Sequence, residues 1–194
     1  MDSGGIVVEL RERGGYMTAG EVKSRGEYEG LRRATAEGAV VRIRKGVYAE
    51  ASALANSMID VERIVPRGVV CLYSAFAYYG LSGCVPSSTC IAIEAKRKVR
   101  LPDYPPVSLY FWKRENLEFG VAHAEIAGYG VLITDVERTV CDAVKYRNKI
   151  GLDVCGEVIE SYLKREGRNI SLLYDYAERL RVRNIIERYL ETRL

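Results

Sequence analysis

Glutamine is absent from the sequence, asparagine is scarce, histidine occurs once and cysteine five times. The lone His123 rules out a histidine-built metal cage. Any histidine-dependent catalysis would have to run through that one residue, and no serine or cysteine in its sequence context suggests a nucleophile for it. Cys71, Cys84, Cys90, Cys141 and Cys155 are odd in number and show no C-x-x-C spacing, which disfavours a disulfide framework or a zinc finger. Most of them sit among apolar residues and read as small core side chains. No apolar run approaches the ~20 residues of a membrane-spanning helix. The opening residues carry Asp2 and Glu9 and no basic region, so a signal peptide is not expected. No G-x-x-x-x-G-K-[ST] or G-x-G-x-x-G phosphate loop occurs, and Ser74 has no G-x-S-x-G elbow around it. Neither cofactor nor resident metal is expected. The missing glutamine, the many arginines and the 14 tyrosines lean toward a heat-adapted, intracellular source, with a cytoplasmic location.

Charge bias is also missing. Lysine plus arginine is 29 and aspartate plus glutamate is 26, a net +3 over 194 residues. That length allows one large domain or two small ones, and the hydrophobic content of 48% can build a core.

What is present begins with punctuation. Ile6, Val7 and Leu10 start a helix that should stop at Gly14-Gly15. Thr18 and Glu21 form a capping box for a short helix through Lys23, which Gly26 breaks. A third helix is expected over about Glu27 to Glu37, with Tyr28, Leu31 and Ala34 inward and Gly38 closing it. Val40 to Arg44, Lys45-Gly46 and Val47-Tyr48 read as strand, turn and strand. Three short helices followed by a hairpin predict a winged helix-turn-helix over residues 1–50.

The outward positions of the third helix would be Glu29, Arg32, Arg33 and Thr35. Arginines there suit guanine edges or phosphates, and Arg42, Arg44 and Lys45 would set the hairpin on the DNA backbone. Arg32, Arg33, Thr35, Arg42, Arg44 and Lys45 are therefore the candidate contacts to double-stranded DNA. A solvated helix face, or a winged helix that binds protein, is the plainer alternative for the same residues.

Residues 51–65 are alanine- and serine-rich and read as a connector. From 66 to 194 the chain predicts an α+β domain. Its elements would be an apolar helix over Val69–Leu81, strands at Cys90–Ile93 and Val107–Trp112, and a hairpin of Val121–Ile126 and Gly130–Ile133. A helix would start at Thr134 or Asp135, and three more at Val154–Lys164, Ser171–Leu180 and Arg183–Thr192 would close the chain. The sheet would be small, mixed or antiparallel, with a helical tail.

Two constellations in this half bear on chemistry. Glu94-Ala95-Lys96 after a strand is half of a magnesium-dependent nuclease site, for which Asp103 or Asp135 would have to supply the other carboxylate. The overlapping Lys96, Arg97, Lys98 and Arg100 read better as a basic surface. In Thr134 to Asp142, Thr134 or Asp135 caps a helix, and Asp142 stands four residues after Arg138, the spacing of an intrahelical ion pair.

Three stretches, in this order, resemble the AbiEi family, the antitoxin and transcriptional regulator of type IV toxin–antitoxin systems. They are Gly15-Tyr16-Met17-Thr18 through Arg42-Ile43-Arg44-Lys45-Gly46-Val47-Tyr48, then Leu72-Tyr73-Ser74-Ala75-Phe76-Ala77-Tyr78-Tyr79-Gly80-Leu81 with Pro86, then Ile133 to Asp142 with Leu180-Arg181-Val182-Arg183 in the tail. The resemblance implies a DNA-binding N-terminal domain that represses its own operon, and a C-terminal domain that counters a nucleotidyltransferase-type toxin without forming a stable complex with it. The chain would act without enzymatic activity, as a homodimer if its operator is palindromic. Gly26-Glu27-Tyr28-Glu29-Gly30 stands where family members often carry serine-arginine-arginine.

Overall fold

The computed structural model describes residues 2–51, 61–101, 106–126 and 128–191, with the side chains of Arg44 and Arg63 outside that set. The protein is of the mixed α+β class, with two separate small sheets. The chain divides into two compact units, one of Met1–Pro66 with Lys98–Val107, the other of Arg67–Arg97 with Ser108–Leu194. The expected connector, 51–65, lies largely outside the described residues. Its end, Val61–Ile64, is a short helical turn with Val61 and Ile64 buried.

In the first unit, helix α1 (Ser3–Glu12) is capped by Asp2, whose carboxylate accepts the Gly5 N–H at 2.8 Å. Ile6 and Leu10, one turn apart, are fully buried. Tyr16–Thr18 then forms strand β1, an element the sequence pattern does not announce. The expected helix from Thr18 to Lys23 shrinks to one 3-10 turn, Ala19–Glu21. Glu21 does reach back to Thr18 as the capping pattern required. Gly20 and β-branched Val22 are poor propagators, and Val22 has already returned to extended backbone.

Helix α2 (Arg25–Ala36) begins two residues before its expected start, because Ser24 is the cap and accepts the Glu27 N–H at 3.1 Å. Gly26 sits in the first turn, where its flexibility costs little, and does not break the helix. Strands β2 (Val40–Arg44) and β3 (Val47–Glu50) follow, joined through Lys45 and Gly46, the glycine at φ +76°. The sheet order is β1-β3-β2, antiparallel throughout, with Met17 opposite Tyr48. Ile6, Leu10, Met17, Leu31, Ala34 and Val40 make the core of this unit.

In the second unit, the expected helix Val69–Leu81 splits. Val69–Val70 is strand β4, and helix α3 (Leu72–Tyr79) starts after it. A short, wholly apolar run carries no periodicity to separate helix from buried strand. Here β-branched Val-Val fills the centre of a sheet, parallel to one neighbour and antiparallel to the other. The other strands are β5 (Thr89–Glu94), β6 (Val107–Trp112), β7 (Val121–Ile126) and β8 (Tyr129–Thr134), in the order β6-β5-β4-β8-β7.

Helix α4 (Val136–Lys145) takes Asp135 as its cap and packs against α3 and the closing helices α5 (Leu152–Leu163), α6 (Ile170–Arg179) and α7 (Arg183–Glu191). Val140, Cys141, Ala143 and Val144 of α4 are at the centre of this core, with Phe76, Cys155, Tyr162 and Ala177 around them. Cys71, Cys90, Cys141 and Cys155 are buried and only Cys84 is exposed. Among the described residues no helix is long and apolar enough to cross a membrane.

Candidate nucleic-acid interface

Helix α2 turns Gly30, Leu31 and Ala34 into the core, which leaves Arg32 and Arg33 on its exposed side. Tyr28, expected inward, is 53% exposed. One turn before Arg32, it is carried outward on the same face. Thr35 is half-buried and its hydroxyl donates to the Leu31 carbonyl at 2.7 Å, so it is less free for a ligand than an outward threonine would be. On the hairpin, Arg42 and Lys45 are exposed. The backbone of Arg44 belongs to β2, and its side chain lies outside the described residues.

An open groove of about 360 Å³ runs between α2 and the hairpin. Tyr28, Arg32 and Thr35 line it from the helix, Arg42 and Tyr48 from the strands. The structure thus brings together two arginines ten residues apart in the chain and on different elements. Arg33 and Lys45 do not line this groove. Tyr28 and Tyr48 were missed in the sequence. The first had a signal, its i, i+4 spacing to Arg32, whereas the second depends on strand pairing.

The side chains of Arg32, Arg33, Arg42 and Lys45 make no ion pair with any described carboxylate. Three acids of this unit, Glu27, Glu50 and Glu9, are engaged elsewhere, while on α2 and its cap Glu29 is half-buried and Glu37 exposed. Glu27 accepts the Lys23 N–H at 2.7 Å, and that bond holds its carboxyl below the usual glutamate range. Arg11 pairs with Glu50 at 2.7 Å, and Arg13 pairs with Glu9. No residue lining the groove is acidic, and neither Arg32 nor Arg42 is ion-paired with a described carboxylate.

The second basic stretch is different. Lys96, Lys98 and Arg100 are exposed and Arg97 is half-buried. The Arg97 N–H closes a turn onto the Glu94 carbonyl at 2.9 Å. The boundary between the two units falls inside this stretch, after Arg97.

The stretch Thr134 to Asp142 is committed to internal contacts. Arg138 and Asp142 are each 1% exposed, and Arg138 Nε donates to both carboxylate oxygens at 3.1 Å. Arg138 Nη1 donates to the Phe119 carbonyl at 3.0 Å. The guanidinium lies 4.8 Å from the ring centre of Trp112 and 4.3 Å from that of Phe119. Burial pushes the Asp142 carboxyl up to about 6, with Arg138 pulling the other way. Asp135 accepts the Arg138 N–H at 2.8 Å and the Tyr176 hydroxyl at 2.9 Å. Glu137 accepts the Tyr162 hydroxyl at 3.2 Å and the Asn169 N–H at 2.9 Å. The sequence announced the ion pair, but not its complete burial between two aromatic rings.

The other sequence candidates are scattered. Glu94 ends β5 in an exposed position and Lys96 is exposed beyond it. Asp135 is held as above, and Asp103 lies outside the described residues. Among the described residues no three histidine, cysteine, aspartate or glutamate side chains converge as a metal site would need. His123 is exposed on β7, an edge strand. Ser74 is buried, and its hydroxyl accepts the Cys90 N–H at 2.9 Å, tying α3 to β5. Compared with known proteins, the chain matches no family model and no curated sequence.

Proposed function

We propose that this chain is a winged-helix DNA-binding repressor, with α2 entering the major groove of its own operator and the β2–β3 hairpin acting as the wing. The element order from α1 to β3, with β1 added to the hairpin sheet, supports the winged-helix reading. One observation carries the functional part. Arg32 on α2 and Arg42 on the hairpin line one groove, with Lys45 exposed at the hairpin turn, and none of them is paired with a described carboxylate. Phosphates supply the missing negative charge, and counterion release would drive association. The resemblance to the AbiEi family extends the reading to an antitoxin role against a nucleotidyltransferase-type toxin, without a stable toxin complex and without enzymatic activity. A palindromic operator would be bound by two copies.

The test is binding to the duplex upstream of its own gene, measured as mobility shift over a range of salt. Arg42→Ala with Lys45→Ala should weaken binding to every duplex and lower the magnitude of the salt slope by about 2, one for each lost phosphate contact. Unchanged shifts would remove the hairpin from the interface. Co-expression with a nucleotidyltransferase encoded beside the gene should restore growth of the toxin-bearing host. No rescue would remove the antitoxin role and leave DNA binding standing.

A further inference from the structure

We infer, resting on the DNA-binding reading above, that the groove between α2 and the hairpin seats one sugar–phosphate strand of the duplex. Arg32 and Arg42 hold that strand from its two sides, and Arg33 is the arginine that reads base edges. The two arginines of α2, adjacent in sequence, thus have different tasks.

The groove has the chemistry of a backbone seat. Two arginines line it from separate elements, and none of its lining residues is acidic. Neither guanidinium has to be released from a carboxylate before it can take a phosphate oxygen. Exposed Tyr28 and Ala36 add apolar surface for deoxyribose carbons, and the tyrosine hydroxyls are donors of the kind found on phosphates.

Convergence of Arg32 with Arg42 also places Arg32 at the rim of the helix beside the hairpin. A base-reading side chain must instead pass between the two backbones into the major groove, whose edges carry the sequence code. Arg33 is exposed and does not line the groove, and one residue further round the helix it points some 100° away from Arg32. Phosphate contacts fix register without information, and base contacts supply the information.

The experiment compares Arg32→Ala, Arg42→Ala and Arg33→Ala, one at a time, by fluorescence anisotropy. The probes are a duplex selected by the wild-type protein from a random library and a scrambled duplex of equal length, each over a salt series. All three residues are exposed, so the variants should melt as the wild type does. Arg32→Ala and Arg42→Ala should each weaken both duplexes by the same factor and lower the magnitude of the salt slope by about 1. Arg33→Ala should hold the scrambled duplex within about twofold and cut the preference for the selected duplex by about tenfold or more.

Phosphate ethylation on the selected duplex gives a second readout. The same run of phosphates on one strand should stop interfering in both Arg32→Ala and Arg42→Ala. Loss of discrimination in Arg32→Ala with intact scrambled binding would overturn the assignment, as would sensitivity to Arg32 and Arg42 on opposite strands. A wild-type protein that binds no duplex at low salt would overturn the DNA-binding reading itself.

Discussion

One site in each unit uses arginine, and the two uses are opposite. In the second unit Arg138 is removed from water, held by both oxygens of Asp142, capped by the Phe119 carbonyl and covered by two aromatic rings. In the first unit Arg32, Arg33 and Arg42 stand in water without a carboxylate partner among the described residues. A guanidinium that is internally satisfied holds a fold in one arrangement. One left unsatisfied on a surface does little for the fold and remains available to an anion. The teaching is that charge count says little, and the partner of each charge says much. The net +3 of the chain hides one basic face and one buried pair.

The comparison is broken most directly at Asp142. Asp142→Ala leaves the Arg138 guanidinium buried without a counter-charge and should cost about 3–5 kcal/mol. Thermal unfolding should read this as a fall in Tm on the order of 10 °C. Replacing the pair together, Arg138→Met with Asp142→Leu, should recover most of that loss, because no uncompensated charge remains. If the single variant melted like the wild type, Arg138 would not be the structural arginine described.

Gly120→Ala tests the same pocket from the other side. Gly120 has φ +63°, and an added Cβ would come within 2.7 Å of the Arg138 Cβ. Strain and displacement of the buried arginine should together cost about 2–3 kcal/mol in urea unfolding. A loss below about 0.5 kcal/mol would mean that the Arg138 stack is free to shift.

In the first unit the expected change in stability is close to nothing. Arg42→Ala with Lys45→Ala should alter unfolding by less than about 0.5 kcal/mol while abolishing much of the DNA affinity. A fall in Tm comparable to that of Asp142→Ala would show these cations working inside the fold, and the contrast between the units would fail.

The smallest effect is at the start of α2. The folded Glu27 carboxyl titrates below its ordinary value because it accepts the Lys23 N–H. Its contribution is present above the unfolded value of about 4.3 and is lost as pH falls through the lower folded value. Protection of the helix-start amides of α2, relative to intrinsic exchange, should therefore fall as pH drops through that lowered value, and Glu27→Gln should flatten that response. An unchanged pH response in Glu27→Gln would remove this carboxylate from the helix cap.

Local chemistry announced a large part of this. The caps Thr18, Asp135 and Gly38, the Lys45-Gly46 turn and the 3.6-residue pattern of α4 each specify structure through neighbours within four residues. The elements at Asp135, Gly38 and Lys45-Gly46 formed where expected, within a few residues, whereas the helix expected from Thr18 came down to one 3-10 turn. The failures share a cause. Tyr16–Thr18 is three residues long and becomes a strand only because β3, some thirty residues later, pairs with it. Val69–Val70 becomes a strand only because β5 and β8 lie on either side. Tyr28 shares the i, i+3 spacing of Leu31 and Ala34, yet the buried side of the helix is Gly30, Leu31 and Ala34, and Tyr28 is 53% exposed.

The sequence by itself determined the mixed α+β class, most helices, the hairpin and the spacing that makes Arg138 and Asp142 partners. All of these follow from interactions within one or two turns of chain. Only the tertiary structure decided that Arg138 and Asp142 are buried while Arg32, Arg33 and Arg42 are not. It alone set Arg32 and Arg42 across one groove. Burial, and the meeting of residues on different elements, depend on what the rest of the chain packs over them, which no local pattern encodes.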